Sequence, residues 1–252
     1  MKTVVINLPE REDRLESMRI QFGDFEVEDG IRHAMPHTGC GLAHINAMRR
    51  GLRNSDTCLI LEDDCTLMTS FENFSKTVED LAKEDFDVCV LNPNHDNLHG
   101  RPIEEELSVF KSGPLLQVSP TNRLVSTHAY IAKKSLLPLL DEYERVIKEG
   151  TVFLPLDRLF LTNNWNPEIL TTFEKCLGIK KPPYVSWNVP RTKIYIERDI
   201  IRVSNTFISD HTGEPFCHEW KETQILYDYL KSRESEGCAR EPRTLDIVYD
   251  IE

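Results

Sequence analysis

Glu62-Asp63-Asp64 is a run of three carboxylates that directly follows an apolar stretch, Thr57-Cys58-Leu59-Ile60-Leu61. Carboxylates gathered at the end of a buried strand can hold a hard divalent cation, which prefers oxygen ligands. Such a cation can bridge a diphosphate and neutralise the charge that develops as it leaves. The run by itself says little. Acidic residues are 42 of 252, so about one such triplet is expected by chance, and its commonest form is a solvated surface turn. Position changes the reading, because open α/β sheets bind ligands beyond the carboxyl ends of their strands.

The elements around the trio follow from periodicity and punctuation. Residues 4–8 read as a buried strand ended by Pro9, and a charged segment follows over 10–16. Asp29-Gly30 signals a turn. Thr38 is placed to cap a helix over 39–52, whose apolar face is Leu42, Ile45, Met48 and Leu52. Residues 57–61 form the second strand, which delivers the trio. Thr69 and Glu72 form a capping box for a helix presenting Phe71, Phe74, Val78, Leu81 and Ala82. Further strands are expected at 86–91 and 123–131, separated by a long polar loop at 92–113. A helix over 136–148 is capped by Ser135, tolerates Pro138 in its first turn, and ends at Gly150.

This alternation predicts an α/β sandwich with helices on both faces of a mainly parallel sheet. Beyond Asp157 the pattern weakens. Residues 192–196 and 200–208 read as strands that pair with each other, and 219–230 as a helix with Trp220, Leu226, Tyr227 and Leu230 apolar. Pro182-Pro183 suggests a boundary. The expected division is a ligand-binding α/β domain over 1–180, which carries the trio, and a C-terminal extension over 181–252, which either completes that domain or forms the side where a second ligand enters.

Composition narrows the partners. The formal charge is −12, with 42 acidic residues against 30 basic ones, which argues against unaided binding to nucleic acid or to an anionic membrane. No stretch approaches the roughly 18 apolar residues of a membrane span. The seven cysteines are scattered, with no Cys-x-x-Cys. The expectation is a reduced, cytoplasmic protein without structural disulfides or a zinc cluster.

Three segments together resemble glycosyltransferase family 25, which contains bacterial lipooligosaccharide galactosyltransferases and collagen galactosyltransferase domains. They are Val5-Ile6-Asn7-Leu8-Pro9-Glu10-Arg11-Glu12-Asp13-Arg14, Gly39-Cys40-Gly41-Leu42-Ala43-His44, and Leu59-Ile60-Leu61-Glu62-Asp63-Asp64. Their order and spacing match as well. Weaker matches lie at Ala129-Tyr130 and Pro155-Leu156-Asp157, so the likeness covers roughly the first 160 residues. Ala43 departs from the pattern, where the family usually has Ser. The resemblance implies a GT-A-type, Rossmann-like fold, a UDP-sugar or related nucleotide-sugar donor, Mn2+ or Mg2+, inversion at the anomeric carbon, and a glycan or other hydroxyl acceptor.

Candidate roles follow. Asp64 is the first choice for direct metal coordination, with Glu62 on the metal's water shell or the ribose, and Asp63 a weaker candidate that can equally point to solvent. Arg14 can pair with donor phosphate or stack on the base, or else form a surface pair with Glu10 or Asp13. Asn7 can read the base or merely end a strand. Gly39 and Gly41 allow close backbone approach at a helix start, a position suited to an anion, or simply tighten a turn. His44, one turn into that helix, is a candidate ligand or, as a lone histidine more often is, a satisfied structural residue; His211 or His218 near Cys217 is an alternative third metal ligand. Inverting transfer needs a base, for which Asp157 is first choice and Asp87 and Glu168 are reserves. Asp157 can instead cap a helix. The competing function is a non-catalytic nucleotide-sugar or glycan-binding protein that keeps the fold. A nucleotidyltransferase is disfavoured by the absence of glycine in Asn7-Leu8-Pro9-Glu10-Arg11. A phosphohydrolase with an Asp nucleophile is disfavoured by the lack of an Asp-x-Asp-x-Thr arrangement.

Overall fold

The computed structural model describes residues 1–34, 36–91, 94–95, 109–112, 115–118, 124–125, 127–148, 156, 160, 192–195 and 200–203. Lys2–Asn7 forms β1, rich in β-branched residues. Its Val4 and Ile6 face one apolar cluster and Val5 the other, the period-two alternation of a strand buried on both faces. Helix α1, Glu12–Phe22, follows, with Glu12 and Asp13 in its first turn and Arg19 in its last, a placement that suits the helix dipole. Its buried stripe is Arg14, Met18 and Phe22. Apolar periodicity alone misses this helix, because an arginine occupies the first position of the stripe. Gly23, at φ 68°, ends it and donates its N–H to Arg19 O.

Strand β2, Glu26–Asp29, pairs parallel with β1. Helix α2 spans Pro36–Leu52. It begins earlier than the expected cap at Thr38, with Pro36 in the first-turn position where its missing N–H costs nothing. Strand β3, Thr57–Glu62, lies on the other side of β1, also parallel. A turn at Asp63-Asp64 leads into β4, Cys65–Leu67. Helix α3, Phe71–Leu81, is capped by Ser70, whose side chain accepts from Asn73 N, so the cap is one residue later than Thr69. Phe74, Val78 and Leu81 are buried and Phe71 is exposed.

Strand β5 is Val88–Leu91, and two short strands, β6 at Asn94–His95 and β7 at Val109–Ser112, fall inside the expected loop. Next come β8, Leu115–Val118, and β9, Leu124–Val125. Strand β10, Ala129–Lys133, replaces the later part of the single strand expected over 123–131. A 3-10 turn, Lys134–Leu136, then leads into α4, Leu137–Lys148. Ser135 lies inside that turn and donates to Asp87 Oδ1. The last described strands are β11, Thr192–Tyr195, and β12, Ile201–Val203. They do not pair with each other: β11 joins β5 and β8, while β12 joins β4.

The main sheet has the order β2-β1-β3-β10-β5-β11-β8-β7. It is mixed. Only β1·β2, β1·β3 and β5·β11 are parallel, while β3·β10, β10·β5, β11·β8 and β7·β8 are antiparallel. This corrects the expectation of a mainly parallel sheet. The strand expected at 123–131 reads as apolar whichever way it runs, and insertion of β10 between β3 and β5 reverses the direction there.

Helices cover both faces. Residues of α2 and α4 pack on Val4, Ile6, Cys58, Ile60, Val88, Val90, Tyr130 and Ala132. Residues of α1 and α3 pack on Val5, Leu59, Leu61, Cys89, Leu91, Ala129 and Ile131. Arg49 of α2 pairs with Asp141 and Glu144 of α4 at 2.6 and 2.5 Å. Among the described residues, no helix is long and apolar enough to cross a membrane. The described cysteines, Cys40, Cys58, Cys65 and Cys89, form no disulfide.

Helix α2 lies close on β3 at Gly51. A methyl group there would sit 2.6 Å from Cys58 Cβ and 2.9 Å from its Sγ. Gly51→Ala gains roughly 1 kcal/mol of helix propensity, but overpacking costs about 1–3 kcal/mol, and a Cβ cannot rotate away. The expected outcome is net destabilisation of up to about 2 kcal/mol, read as a lowered urea midpoint at unchanged slope.

Candidate functional site

Strands β2 and β3 flank β1 on opposite sides, with α1 and α2 on opposite faces of the sheet. Such a reversal of strand order leaves a crevice at the carboxyl ends of the central strands. A cleft of about 220 Å³ opens there. Its wall is built from the end of β1 (Ile6, Leu8), Arg14 of α1, residues 30–33 after β2, the first turns of α2 (Pro36, Cys40, Ala43, His44), and Glu62-Asp63-Asp64. In the register, Glu62 lies beside Ile6.

The three acids have different surroundings. Asp63 is buried, and its Oδ1 accepts from Arg14 Nη1 at 2.8 Å. Neither partner is a surface group: the side chains are 4% and 10% exposed. Glu10 pairs with Arg32 and Asp13 with Arg11. The Arg11 hydrogen bond holds the Asp13 carboxyl down to about 2. Glu62 is half-buried at the end of β3, where its N–H donates to His128 O at 2.7 Å. Its Oε1 accepts from Thr127 Oγ1 at 3.3 Å and lies 3.2 Å from His44 Nε2. Asp64 is buried at 6% exposure and lines the same cleft.

His44 is 1% exposed. Its Nδ1 lies 2.9 Å from the Tyr130 hydroxyl. Its Nε2 is near Glu62 Oε1 but lacks the alignment of a hydrogen bond. Cys40 stands one turn earlier on α2. Ligand atoms of Cys40, His44 and Glu62 lie within 4.8 Å of one another, a group able to hold a metal ion. Asp64 is outside this group, the one such set among the described residues. The Cys40/His44 spacing of four on a helix is the sequence signal for the pair, and Tyr130 and Thr127 carry no such signal.

Gly39 has a steric reason to be glycine: a Cβ there would meet Ile31 O at 2.0 Å. The close approach of α2 to residues 31–33 shapes one cleft wall. Asn7 is buried and donates from Nδ2 to Leu8 O; Ile6 and Leu8 line the cleft, and Asn7 does not. Ala43, where the resemblance expects Ser, is 1% exposed. Asp87 sits at the far edge: its carbonyl accepts from Lys133 N, and Lys133 is level with Thr57, the first residue of β3. That is five residues from Glu62, or roughly 17 Å along a strand, so Asp87 is not a base for this cleft. Asp157, Glu168, His211, Cys217 and His218 lie outside the described residues, as do the 219–230 helix and Gly150.

Burial dominates the titration here. His128, 1% exposed, is pushed down to about 4, with Glu62 opposing the shift, and burial raises the Tyr130 phenol well above its ordinary value. The Cys65 thiol, which donates to His128 O at 2.9 Å, is likewise raised by burial and by Asp64 and Glu62.

Two outcomes follow. Asp63→Asn removes the charge of the carboxylate that accepts from the buried Arg14 guanidinium, and should cost up to about 3–5 kcal/mol in equilibrium unfolding. The second concerns pH. Unfolded His128 takes up a proton below about 6.5, and the folded protein resists it until about 4. The residue's contribution is therefore whole above that window and is lost as pH falls through it, by roughly 3 kcal/mol. Unfolding midpoints measured from pH 7 to 4 should show this limb, and His128→Gln should flatten it.

No protein-family model matches the chain, and no curated protein matches it. Some solved structures resemble it loosely. A glycosyltransferase involved in the glycosylation of the major capsid of PBCV-1 gives a TM-score of 0.39 at 11% identity, over 77% of this chain and 82% of that one. A 4-diphosphocytidyl-2C-methyl-D-erythritol synthase from Anaerococcus prevotii DSM 20548 gives 0.38 at 11%, over 91% and 81%. A galactosyltransferase in complex with donor and acceptor sugar analogues gives 0.37 at 10%, over 96% and 98%. Superpositions this loose carry no argument, so the chemistry of the cleft rests on the residues of this chain.

Proposed function

We propose that this protein is a metal-dependent, inverting glycosyltransferase of GT-A type, moving a hexose from a nucleoside-diphosphate sugar, UDP first among them, to a hydroxyl of a glycan or similar acceptor. One observation carries the reading. The three segments whose residues resemble family 25 are far apart in sequence, yet Arg14, Cys40, Ala43, His44 and Glu62-Asp63-Asp64 all line one cleft.

The residues divide the work as follows. Glu62 at the end of β3 and Asp64 in the turn after it are the proposed oxygen ligands of a divalent cation, with His44 and Cys40 grouped around Glu62. Bound there, a cation neutralises the diphosphate that leaves. Arg14, held by Asp63, places a guanidinium in the cleft wall, where it would meet a donor phosphate. Arg32 and His33 lie on the rim where an anionic donor enters. Asp157, taken from the resemblance, is the proposed base for the acceptor hydroxyl.

The test is thermal unfolding with UDP, GDP and their sugars, each with and without Mn2+. A ligand at about 100 times its dissociation constant adds roughly 2.7 kcal/mol, a rise of several degrees for a chain of this size. The expected result is a rise that needs both nucleotide and metal and disappears in a folded Asp64→Asn variant. No rise with any donor overturns the reading.

A further inference from the structure

We infer that Cys40, His44 and Glu62 form a binding site for a borderline-soft divalent cation of the zinc class. Three protein ligands would hold the ion, leaving a fourth position open to the cleft. The inference does not rest on sugar transfer, because it concerns metal bound in the absence of any nucleotide.

The geometry points there in three ways. The first is convergence: one ligand atom from each residue lies within 4.8 Å of the other two. Cys40 and His44 are one turn apart on α2, so they present from the same helix face, and Glu62 reaches them from the end of β3. The second is the contact between His44 Nε2 and Glu62 Oε1. The atoms are 3.2 Å apart without hydrogen-bond alignment. Two ligands of one tetrahedral zinc stand about 3.4 Å apart, given metal–ligand bonds of about 2.0–2.1 Å. Close but misaligned is the relation expected of two atoms that share an ion.

The third is the support behind the imidazole. His44 is 1% exposed, and its Nδ1 faces the Tyr130 hydroxyl at 2.9 Å. With Nδ1 donating to that oxygen, the Nε2 lone pair is turned toward Glu62 and Cys40. Metal-binding histidines are oriented in this way by the partner of their other nitrogen. Tyr130 is itself fixed: it is fully buried and packs edge-on against Phe160 with ring centroids 5.4 Å apart.

The donor set decides the class of ion. Thiolate and imidazole favour zinc and its neighbours, whereas Mg2+ favours all-oxygen sites. Three protein ligands with one open position is the pattern of exchangeable zinc sites. Cys40 is half-exposed and lines the cleft, so the open position would take water or an oxygen of a cleft ligand.

The experiment uses the full-length protein, stripped with a chelator and titrated with Co2+, then Zn2+, without nucleotide. One equivalent of Co2+ should give a thiolate-to-cobalt charge-transfer band. Zn2+ should displace the cobalt and Mg2+ should not. Cys40→Ser should abolish the band, and Glu62→Gln should weaken binding at least tenfold. Tyr130→Phe, which keeps the ring, should weaken it by about 10–100-fold. Thermal unfolding confirms that each variant is folded. A folded wild-type protein that gives no band, or a band unchanged in folded Cys40→Ser, overturns the site. If cobalt binds as described and no nucleotide raises the melting point, the metal site stands and the glycosyltransferase reading falls. If nucleotide and Mn2+ stabilise the protein and cobalt gives no thiolate band, the reverse holds.

Discussion

A buried ion pair organises this end of the molecule. Arg14 comes from α1, on one face of the sheet, and Asp63 from the turn after β3. A guanidinium with 4% of its side chain exposed cannot stay charged and solvated by water alone, so the turn must bring a carboxylate to it. Once Asp63 is committed in this way, the backbone on either side is committed too. Glu62, one residue earlier, falls at the strand end beside Ile6, and Asp64, one residue later, enters the turn. Removing one charge would leave the other stranded, which is the costly way to alter a buried pair. The pair is therefore a constraint on position as much as a contribution to stability.

The cleft inherits its division of labour from that constraint. Three acids in sequence look equivalent and all three line the cleft, yet Asp63 is tied to Arg14 while Glu62 meets Thr127 and His44. Glu62 lies beside His44 of α2 and accepts from Thr127, two residues ahead of β10. Gly39 permits this arrangement, since any side chain there would strike the Ile31 carbonyl and push α2 away from the wall that carries Arg32 and His33. The site thus depends on one close backbone approach and one buried charge pair.

Much of this was legible in the sequence, for physical reasons. Strongly apolar runs such as residues 57–61 announce a buried strand, and the helical face of Leu42, Ile45, Met48 and Leu52 announces α2. Residues at these positions pack as expected, with Ile45, Met48 and Leu52 buried. Helix α1 was hidden, because its inner stripe begins with Arg14, which a hydrophobic pattern counts as surface. The direction of β10 was hidden too, because an apolar strand reads the same in a parallel or an antiparallel neighbourhood; only the chain path beyond it decides. At the site, type and spacing located the trio, but the partner of Asp63 is 49 residues away, and no local pattern encodes it. The group of Cys40, His44 and Glu62 was half visible, as a one-turn spacing on α2, and its third member joins only when β3 packs under that helix.

Charge balance then explains why a cation belongs in any account of an anionic ligand here. The chain carries a formal charge of −12. In the cleft wall, Arg14 is matched by Asp63, and Arg32 by Glu10. Glu62 and Asp64 add two further acidic side chains to that wall. A diphosphate approaching such a wall meets like charge, and long-range attraction from the protein as a whole does not help it. A divalent ion between Glu62 and the ligand reverses that sign locally, and its field is strongest where water is excluded. The acidity that argues against nucleic acid as a partner is therefore compatible with a nucleotide ligand, provided that an ion arrives first. On the proposed reading, occupancy of the metal site would govern nucleotide affinity, and the order of addition would be a property of the cleft.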